Sequence, residues 1–556
     1  MTATAPGLAV AIVEELMRAG VRDAVLAPGS RSAPLALALA DAERQGLLRL
    51  HVRIDERSAA YLALGIARES GRACAVVTTS GTAAVNLHPA VVEAAYSGVP
   101  LIVLTADRPG ALRGSGANQT IDQRRLFGVD VVADVDLEEL APDGVRTALA
   151  EAIGAAMGPG SGPVHVNVPL AEPLVAAGQH RVGQVEVVER VAARPVGRAL
   201  SQIVPAGVDV RHGVLVAGDF DDDLARERAG ELADALGWPI ISEPSGNLSD
   251  HPRALRHGPM LLRRALELDA TPEVVVTVGR VGLHRSVTAL LRATPVHIAV
   301  DVPPRRGRVD PARTAVSVVD AVPVPDGAAD DAWWTRWQGW DRSAAEVIDA
   351  GLGGDQLSGP VVARMVGRAA TGTDLIYLGP SWPVRHVSSY AGALRARCLG
   401  NRGTSGIDGV VSSAWGAAVA LGDRDPGATA YALVGDLTAI YDRNGLLAPA
   451  SEARPRLVYV VADNDGGGIF SSLEQGEADF ADDFERVFGT PHGADVADLL
   501  SAPLTDVTTV DTPGELAREL ERSVAGVRVI VARCISRDAE ARLVARIADE
   551  VDDAIR

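Results

Sequence analysis

Lysine is absent from all 556 residues, so every one of the 53 basic side chains is arginine. That absence excludes Schiff-base chemistry, pyridoxal phosphate attachment and the lysine of phosphate-binding P-loops. Cysteine is scarce: Cys74, Cys398 and Cys534 are the three, each near an apolar run and none at metal-ligand spacing. A disulfide framework and a zinc site are therefore excluded, and a reducing cytoplasm is the expected compartment. No stretch reaches the roughly 18 consecutive apolar residues of a membrane helix. The first apolar stretch has no basic region before it and is interrupted by Glu14 and Glu15, so no signal peptide is expected. Positive charge is also in deficit. A net charge of −19 argues against nucleic acid and anionic membranes as partners, since both need a basic surface.

What is present is apolar sequence in short, regularly spaced runs. Hydrophobic residues make up 47% of a chain too long for one core, which implies about three domains. Strand-like runs occur at Ala24–Leu26, Ala75–Val77, Leu101–Leu104 and Val164–Val168, separated by alanine-rich helical stretches. A second set is Val214–Val216, Val274–Val278 and His297–Val300. A third is Leu375–Leu378, Ala432–Val434, Leu457–Val461 and Val527–Val531. The alternation predicts an α/β protein whose domains, 1–180, 200–325 and 350–556, are each a doubly wound, mostly parallel sheet. Arg181 to Pro205 reads as a linker, and the Pro/Asp-rich stretch Val322 to Asp331 closes the central segment. Trp333, Trp337 and Trp340 then share one helical face, which suits a docking surface. No short internal repeat is visible.

Two apolar runs end in acids: Tyr431–Val434 leads into Gly435-Asp436, and Leu457–Val461 leads to Asp463-Asn464-Asp465. Buried parallel strands present their carboxyl ends to the ligand crevice of an α/β sheet, so both acids face one site. A Mg²⁺ ion takes about six oxygens at about 2.1 Å, usually one or two carboxylates with phosphate oxygens completing the shell. Two strand-end loops can supply the carboxylates. A calcium loop competes for the same residues, because Asp463, Asp465, Gly468, Ile469 and Glu474 fall at positions 1, 3, 6, 7 and 12 of an EF-hand. It lacks a preceding helix, and Gly467 at position 5 offers no side-chain oxygen. Near the N-terminus, Asp55-Glu56-Arg57 opens a helical pattern, where a charged cluster is commonly a dipole-favoured cap.

Gly435-Asp436 followed by the acids at 463 and 465 resembles the fingerprint of thiamine diphosphate enzymes. Three further features of that family occur in order: Pro28-Gly29-Ser30-Arg31, the acid Glu56, and Thr79-Ser80-Gly81-Thr82-Ala83. The resemblance implies a three-domain thiamine diphosphate fold with a pyrimidine-binding, a central and a diphosphate-binding domain. It also implies thiamine diphosphate and Mg²⁺, or Mn²⁺ in its place, as cofactors. Asp436, Asp463 and the backbone carbonyl of Asp465 would hold the metal. Ser80, Gly81, Thr82, Ile407, Gly435, Leu437 and Ile469 would line the cofactor, with Ile407 bending it. Glu56 would hydrogen bond the far pyrimidine nitrogen, favouring the imino tautomer that deprotonates thiazolium C2. The chain departs from the pattern twice: Leu437 stands where the family often has Gly, and Asp463 where it usually has Asn.

Longer strings narrow the resemblance. Pro28 to Leu35, Ala117-Asn118-Gln119, Asn401 to Gly409 and Asp465 to Phe470 are similar to the family of 2-succinyl-5-enolpyruvyl-6-hydroxy-3-cyclohexene-1-carboxylate synthases. These transferases of menaquinone biosynthesis decarboxylate 2-oxoglutarate and add the succinic semialdehyde carbanion to isochorismate. By that resemblance Arg31, Arg108, Gln119 and Arg285, with Ser30 and Asn118 adjoining, would hold isochorismate. Ser381, Arg385 and Arg402 would hold 2-oxoglutarate, and Ile469, Phe470 and Leu473 would wall the pocket. His284 occupies a place where relatives can carry a basic residue. Both substrates are dianions, and the arginine fork pairs bidentately with carboxylates. The family also implies active sites shared between subunits, hence a homodimer or a dimer of dimers (homotetramer). Two rivals remain at this point: an acetolactate synthase-like carboligase or decarboxylase acting on a neutral side chain, and a non-catalytic calcium-binding or regulatory protein.

Overall fold

A computed structural model describes residues 4–139, 142–178, 180–188, 195–302, 307 and 309–555. Among these residues every ladder is parallel, in three separate sheets. The first sheet uses β1 (Asp23–Leu26), β2 (Arg49–Val52), β3 (Cys74–Thr78), β4 (Leu101–Asp107), β5 (Ala133–Asp136) and β6 (Val164–Pro169). The central sheet uses β7 (Gly213–Ala217), β8 (Ile240–Ser242), β9 (Val274–Val278), β10 (Val296–Val300) and β11 (Ala315–Val319). The last uses β12 (Leu375–Leu378), β13 (Arg397–Leu399), β14 (Ala430–Gly435), β15 (Leu457–Asp463), β16 (Thr505–Val510) and β17 (Val527–Arg533).

The orders are β2-β1-β3-β4-β6-β5, β11-β10-β9-β7-β8 and β13-β12-β14-β15-β17-β16. All eleven runs predicted from sequence are strands, and all lie inside the sheets. The first and last sheets share one winding order, 2-1-3-4-6-5, a repetition of architecture that no short repeat in the sequence announces. In the last sheet the winding reverses between β12 and β14, which opens a crevice at the strand ends. Asp436 and Ser381 stand at its two sides.

The described part of the expected linker holds a single short 3-10 turn, Leu200–Gln202, while 189–194 lie outside the described residues. The tryptophan face is a docking surface within the chain. Trp333, Trp337 and Trp340 are buried on the helix Asp331–Gly351, in one core with residues of the central and last sheets, and Trp333 Nε1–H donates to Gly213 O at 2.9 Å.

The first and last sheets meet through two helices, Glu56–Ser70 and Val410–Arg424. The former starts where Asp55 accepts from Ser58 N–H and stops at Gly71, in the left-handed region at φ 65°. Alanine and glycine on both helices allow backbone-to-backbone approach: a Cβ on Gly65 would lie 2.0 Å from Ser413 O, and one on Gly416 2.1 Å from Leu62 O. This seam carries Glu56 at one end. Gly65→Ala is expected to destabilise the chain by about 1–3 kcal/mol, because overpacking must push the helices apart. Thermal unfolding should show a clear drop in midpoint, and an unchanged midpoint would mean that the seam yields freely.

Candidate functional site

Residues after β12, β14 and β15 enclose a crevice of about 340 Å³. Its walls include Ser381, Ile407, Asp436, Leu437, Ile469 and Phe470, all expected from sequence. Every lining residue lies beyond position 358, so the first segment contributes none of them. Ser381 caps the helix Trp382–Tyr390 at φ 67°, ψ −130°, and that helix presents its N-terminus to the crevice. A non-glycine residue in this region is strained, and such strain is concentrated at functional sites. Helix N-termini favour anions.

Asp436 is buried (2% exposed). Its Oδ2 accepts from Gly466 N–H at 2.7 Å and its Oδ1 from Leu437 N–H at 2.6 Å. Burial pushes its carboxyl up to about 6; the two amides pull it back and Asp463 pushes it further up. His492 stands between the acids, its Nε2 at 3.3 Å from Asp436 Oδ2 and 3.8 Å from Asp463 Oδ1. Ligand atoms of Asp436, Asp463 and His492 all lie within 4.8 Å of one another. Two carboxylates held this close, one of them desolvated, form a donor set that suits a divalent cation, which would relieve their repulsion.

His492 carried no signal in the sequence, since it arrives from a loop far from either strand end. The Asp465 carboxylate turns away, accepting from His492 and Gly493 N–H at 3.0 and 2.9 Å, and is not among the three clustered side chains. The calcium-loop reading fails structurally, because Leu457–Asp463 before it is strand, not helix.

A second group forms at the strand ends of the first sheet. Arg108 donates through Nη1 to Ser80 Oγ and, at 2.8 Å, to Gln119 O. Gln119 Nε2 donates to Ser80 O at 3.0 Å. Burial lowers the Arg108 guanidinium pKa, and Arg31 adds to the effect. Gln123, which the motifs did not single out, is buried, and its Oε1 accepts from Gly81 N–H at 2.9 Å. Arg31 donates to Leu170 O at 2.9 Å. Ser30, Thr82, Asn118 and Gln119 are exposed in the single chain, and Glu56 is half-buried at the start of its helix. Its neighbour Asp55 accepts from Asn444 Nδ2 at 2.9 Å, beside the last sheet yet outside the crevice.

A third group combines Arg385, Arg402 and His284. Arg385 donates to Ser381 O at 2.9 Å, and its pKa is lowered by burial and then by Arg402. His284 Nε2 lies 2.9 Å from Ser388 Oγ, and burial, reinforced by both arginines, pushes the imidazole down to about 3. It is therefore neutral at ordinary pH. Arg285, by contrast, is exposed and paired with Glu474 at 2.8 Å, and Leu473 lies at the same surface rather than in the crevice wall.

Comparison with known proteins bears on all three groups. A family profile, "Thiamine pyrophosphate enzyme, N-terminal TPP binding domain", matches residues 7–126. A protein of Thermobifida fusca is 43% identical over 564 residues, covering 99% of both chains. One of Saccharopolyspora erythraea is 42% identical over 539 residues, 94% of each, and one of Kineococcus radiotolerans is 42% identical over 549 residues, again 94% of each. All three are 2-succinyl-5-enolpyruvyl-6-hydroxy-3-cyclohexene-1-carboxylate synthases. Asp436→Asn is expected to abolish Mn²⁺ binding, measured by electron paramagnetic resonance with thiamine diphosphate present. His492→Ala should weaken it about 10- to 100-fold, as loss of a ligand's hydrogen-bond partner does. Unchanged affinity in Asp436→Asn would place the cation elsewhere.

Proposed function

The chain belongs to the 2-succinyl-5-enolpyruvyl-6-hydroxy-3-cyclohexene-1-carboxylate synthase family, and from that membership we propose that it decarboxylates 2-oxoglutarate and joins the remaining four-carbon unit to isochorismate in menaquinone biosynthesis. Thiamine diphosphate, when bound with Mg²⁺ or Mn²⁺, supplies the site at which carbon dioxide leaves and the new carbon–carbon bond is prepared. The observation that carries this reading is the meeting at neighbouring strand ends of the clustered acids Asp436 and Asp463 with the strained Ser381 turn, Asp436 and Ser381 lining one crevice and Arg385 bonded to Ser381 O beside it.

Each group then has a task. Asp436 and Asp463, steadied by His492, would hold the cation that the diphosphate needs, and the backbone carbonyl of Asp465 would be the third donor. Gly435, Leu437, Ile407 and Ile469 line the crevice and would border the cofactor, Ile407 being the residue that would bend it. Glu56 holds a proton at the far pyrimidine nitrogen, while Ser80, Gly81 and Thr82 border that end. Arg385 and Arg402 bind the two carboxylates of 2-oxoglutarate beside Ser381. Among the described residues Arg402 forms no ion pair, and the nearby Glu243 carboxyl is held by two backbone amides, which leaves the guanidinium to substrate. Arg31, Arg108, Gln119 and Arg285, with Ser30 and Asn118, receive isochorismate. Phe470 closes over the product side and limits water.

Glu56 and its companions are outside the crevice of their own chain, which supports a site completed by a second chain. The protein then works as a homodimer or a dimer of dimers, with 1–180 of one subunit facing 350–556 of the other. Exposed apolar side chains beside these elements, Ile54 at 75% and Tyr441 at 52%, fit a covered surface. An acetolactate synthase-like reaction on a neutral side chain leaves the neighbouring Arg385 and Arg402 without a purpose. No helix among the described residues is long and apolar enough to cross a membrane.

Protein incubated with Mg²⁺, thiamine diphosphate, 2-oxoglutarate and isochorismate should yield the six-membered-ring adduct by mass spectrometry, and Glu56→Gln should slow it by about 10²- to 10⁴-fold. Carbon dioxide release with pyruvate and none with 2-oxoglutarate would refute the substrate reading.

A further inference from the structure

The central domain contributes a turn that reaches both arginine-bearing elements of the last sheet. β8 ends at Ser242, and the next residue, Glu243, is buried (2% exposed). Its own N–H donates to Ala217 O at 2.8 Å, so the turn is anchored to β7. Its Oε1 accepts two backbone amides, Gly282 N–H at 2.9 Å and Leu283 N–H at 2.8 Å. These amides belong to the loop between β9 and the helix Arg285–Ala293. The following residue is His284, whose ring meets Ser388 in the helix that begins at Ser381 and carries Arg385.

The same turn has a second arm. Asn247, in the left-handed region at φ 54°, exchanges two hydrogen bonds with the backbone of Cys398: its Nδ2 donates to Cys398 O at 3.1 Å and its Oδ1 accepts from Cys398 N–H at 2.6 Å. Cys398 lies in β13, the edge strand that leads to Arg402. A side-chain amide thus takes the place of a further strand along that edge. One five-residue turn fixes, through separate contacts, the helix of Arg385 and the strand before Arg402.

The turn also lies near both arginines. Burial raises the Glu243 carboxyl pKa and Arg402 opposes that rise, while Glu243 offsets part of the pKa depression of Arg385, so the carboxyl lies within electrostatic reach of both guanidiniums. His284, being neutral, adds no charge to this cluster and acts as a hydrogen-bonded spacer.

We propose that Glu243 is a positioning residue for the distal carboxylate of 2-oxoglutarate, and that the turn Glu243 to Asn247 sets the separation of Arg385 and Arg402, which decides between a dicarboxylic 2-oxo acid and a monocarboxylic one. This rests on the reading of those two arginines as the holders of 2-oxoglutarate. The binding energy of a charge-assisted arginine contact depends steeply on geometry, so a loosened turn costs affinity for the second carboxylate and leaves the first, and the chemistry, intact.

Two substitutions at Glu243 separate shape from charge. Both amide bonds fall on the single atom Oε1, so Glu243→Gln keeps an acceptor there and removes the charge, whereas Glu243→Ala leaves two buried N–H groups without a partner. Steady-state kinetics of the assembled enzyme should be compared with 2-oxoglutarate and with 2-oxobutyrate, which lacks the distal carboxylate, alongside thiamine diphosphate affinity by fluorescence titration. Glu243→Ala is expected to raise KM for 2-oxoglutarate about 10- to 100-fold, with kcat, KM for 2-oxobutyrate and cofactor affinity within about threefold of the parent. Glu243→Gln should stay within about threefold throughout, its acceptor being retained.

Asn247→Gly keeps the left-handed backbone and deletes the amide, so it should reproduce the selective loss even if Glu243→Ala does not fold. Equal loss on both 2-oxo acids, no loss in either Glu243→Ala or Asn247→Gly, or a Glu243→Gln as impaired as Glu243→Ala would overturn the proposal. If the unsubstituted enzyme itself fails to prefer 2-oxoglutarate over 2-oxobutyrate, the underlying substrate reading is what has failed, and with it this one.

Discussion

A desolvated carboxylate beside a second acid is the constraint around which the last sheet is arranged. Taking Asp436 out of water is costly unless its charge is met, and its two oxygens are met by the amides of Gly466 and Leu437 and by the His492 ring. Those partners come from three directions: the β15 loop, the first turn after β14, and a loop beyond Phe488. Their convergence fixes the strand-end crevice at the point where the winding reverses. The same burial that penalises the carboxyl makes it a strong cation holder once a metal shares the charge.

How much of this was legible in the sequence follows from what each element touches. The interior strands are covered on both faces, so they read as continuous apolar runs, and each such run is a strand. The strands missed were β2, β5, β8, β11, β13 and β16, which are the two edges of each sheet. Edge strands are short or half-exposed: Arg49–Val52 includes Arg49 and His51, and Ala315–Val319 alternates between partly covered and exposed positions. A signal built on continuous burial cannot find them. The shared winding order of the first and last sheets has no counterpart in any run of letters, because topology lies in the path of the chain.

The site divides in the same way. Residues next to each other in a motif, such as Gly435-Asp436 or Ser80-Gly81, were legible because one turn places them. His492, Gln123 and Glu243 were not, because each reaches its partner from another loop through a single side chain. Arg285 shows the converse. The resemblance groups it with Arg108, yet within one chain it is exposed and paired with Glu474, apart from the Arg108 and Ser80 group.

That incompleteness is the centre of the account: one chain brings the Asp436, Asp463 and His492 cluster to its strand ends, and its own Glu56 is not among the residues that line the crevice there. The most direct test mixes two inactive proteins, Glu56→Gln and Asp436→Asn, under conditions that exchange subunits. A site shared between chains predicts that a hybrid dimer has one site with both residues intact, so a statistical mixture recovers about a quarter of the parent activity. No recovery, with hybrid dimers shown to have formed, would contradict a shared site and with it the assignment of Glu56.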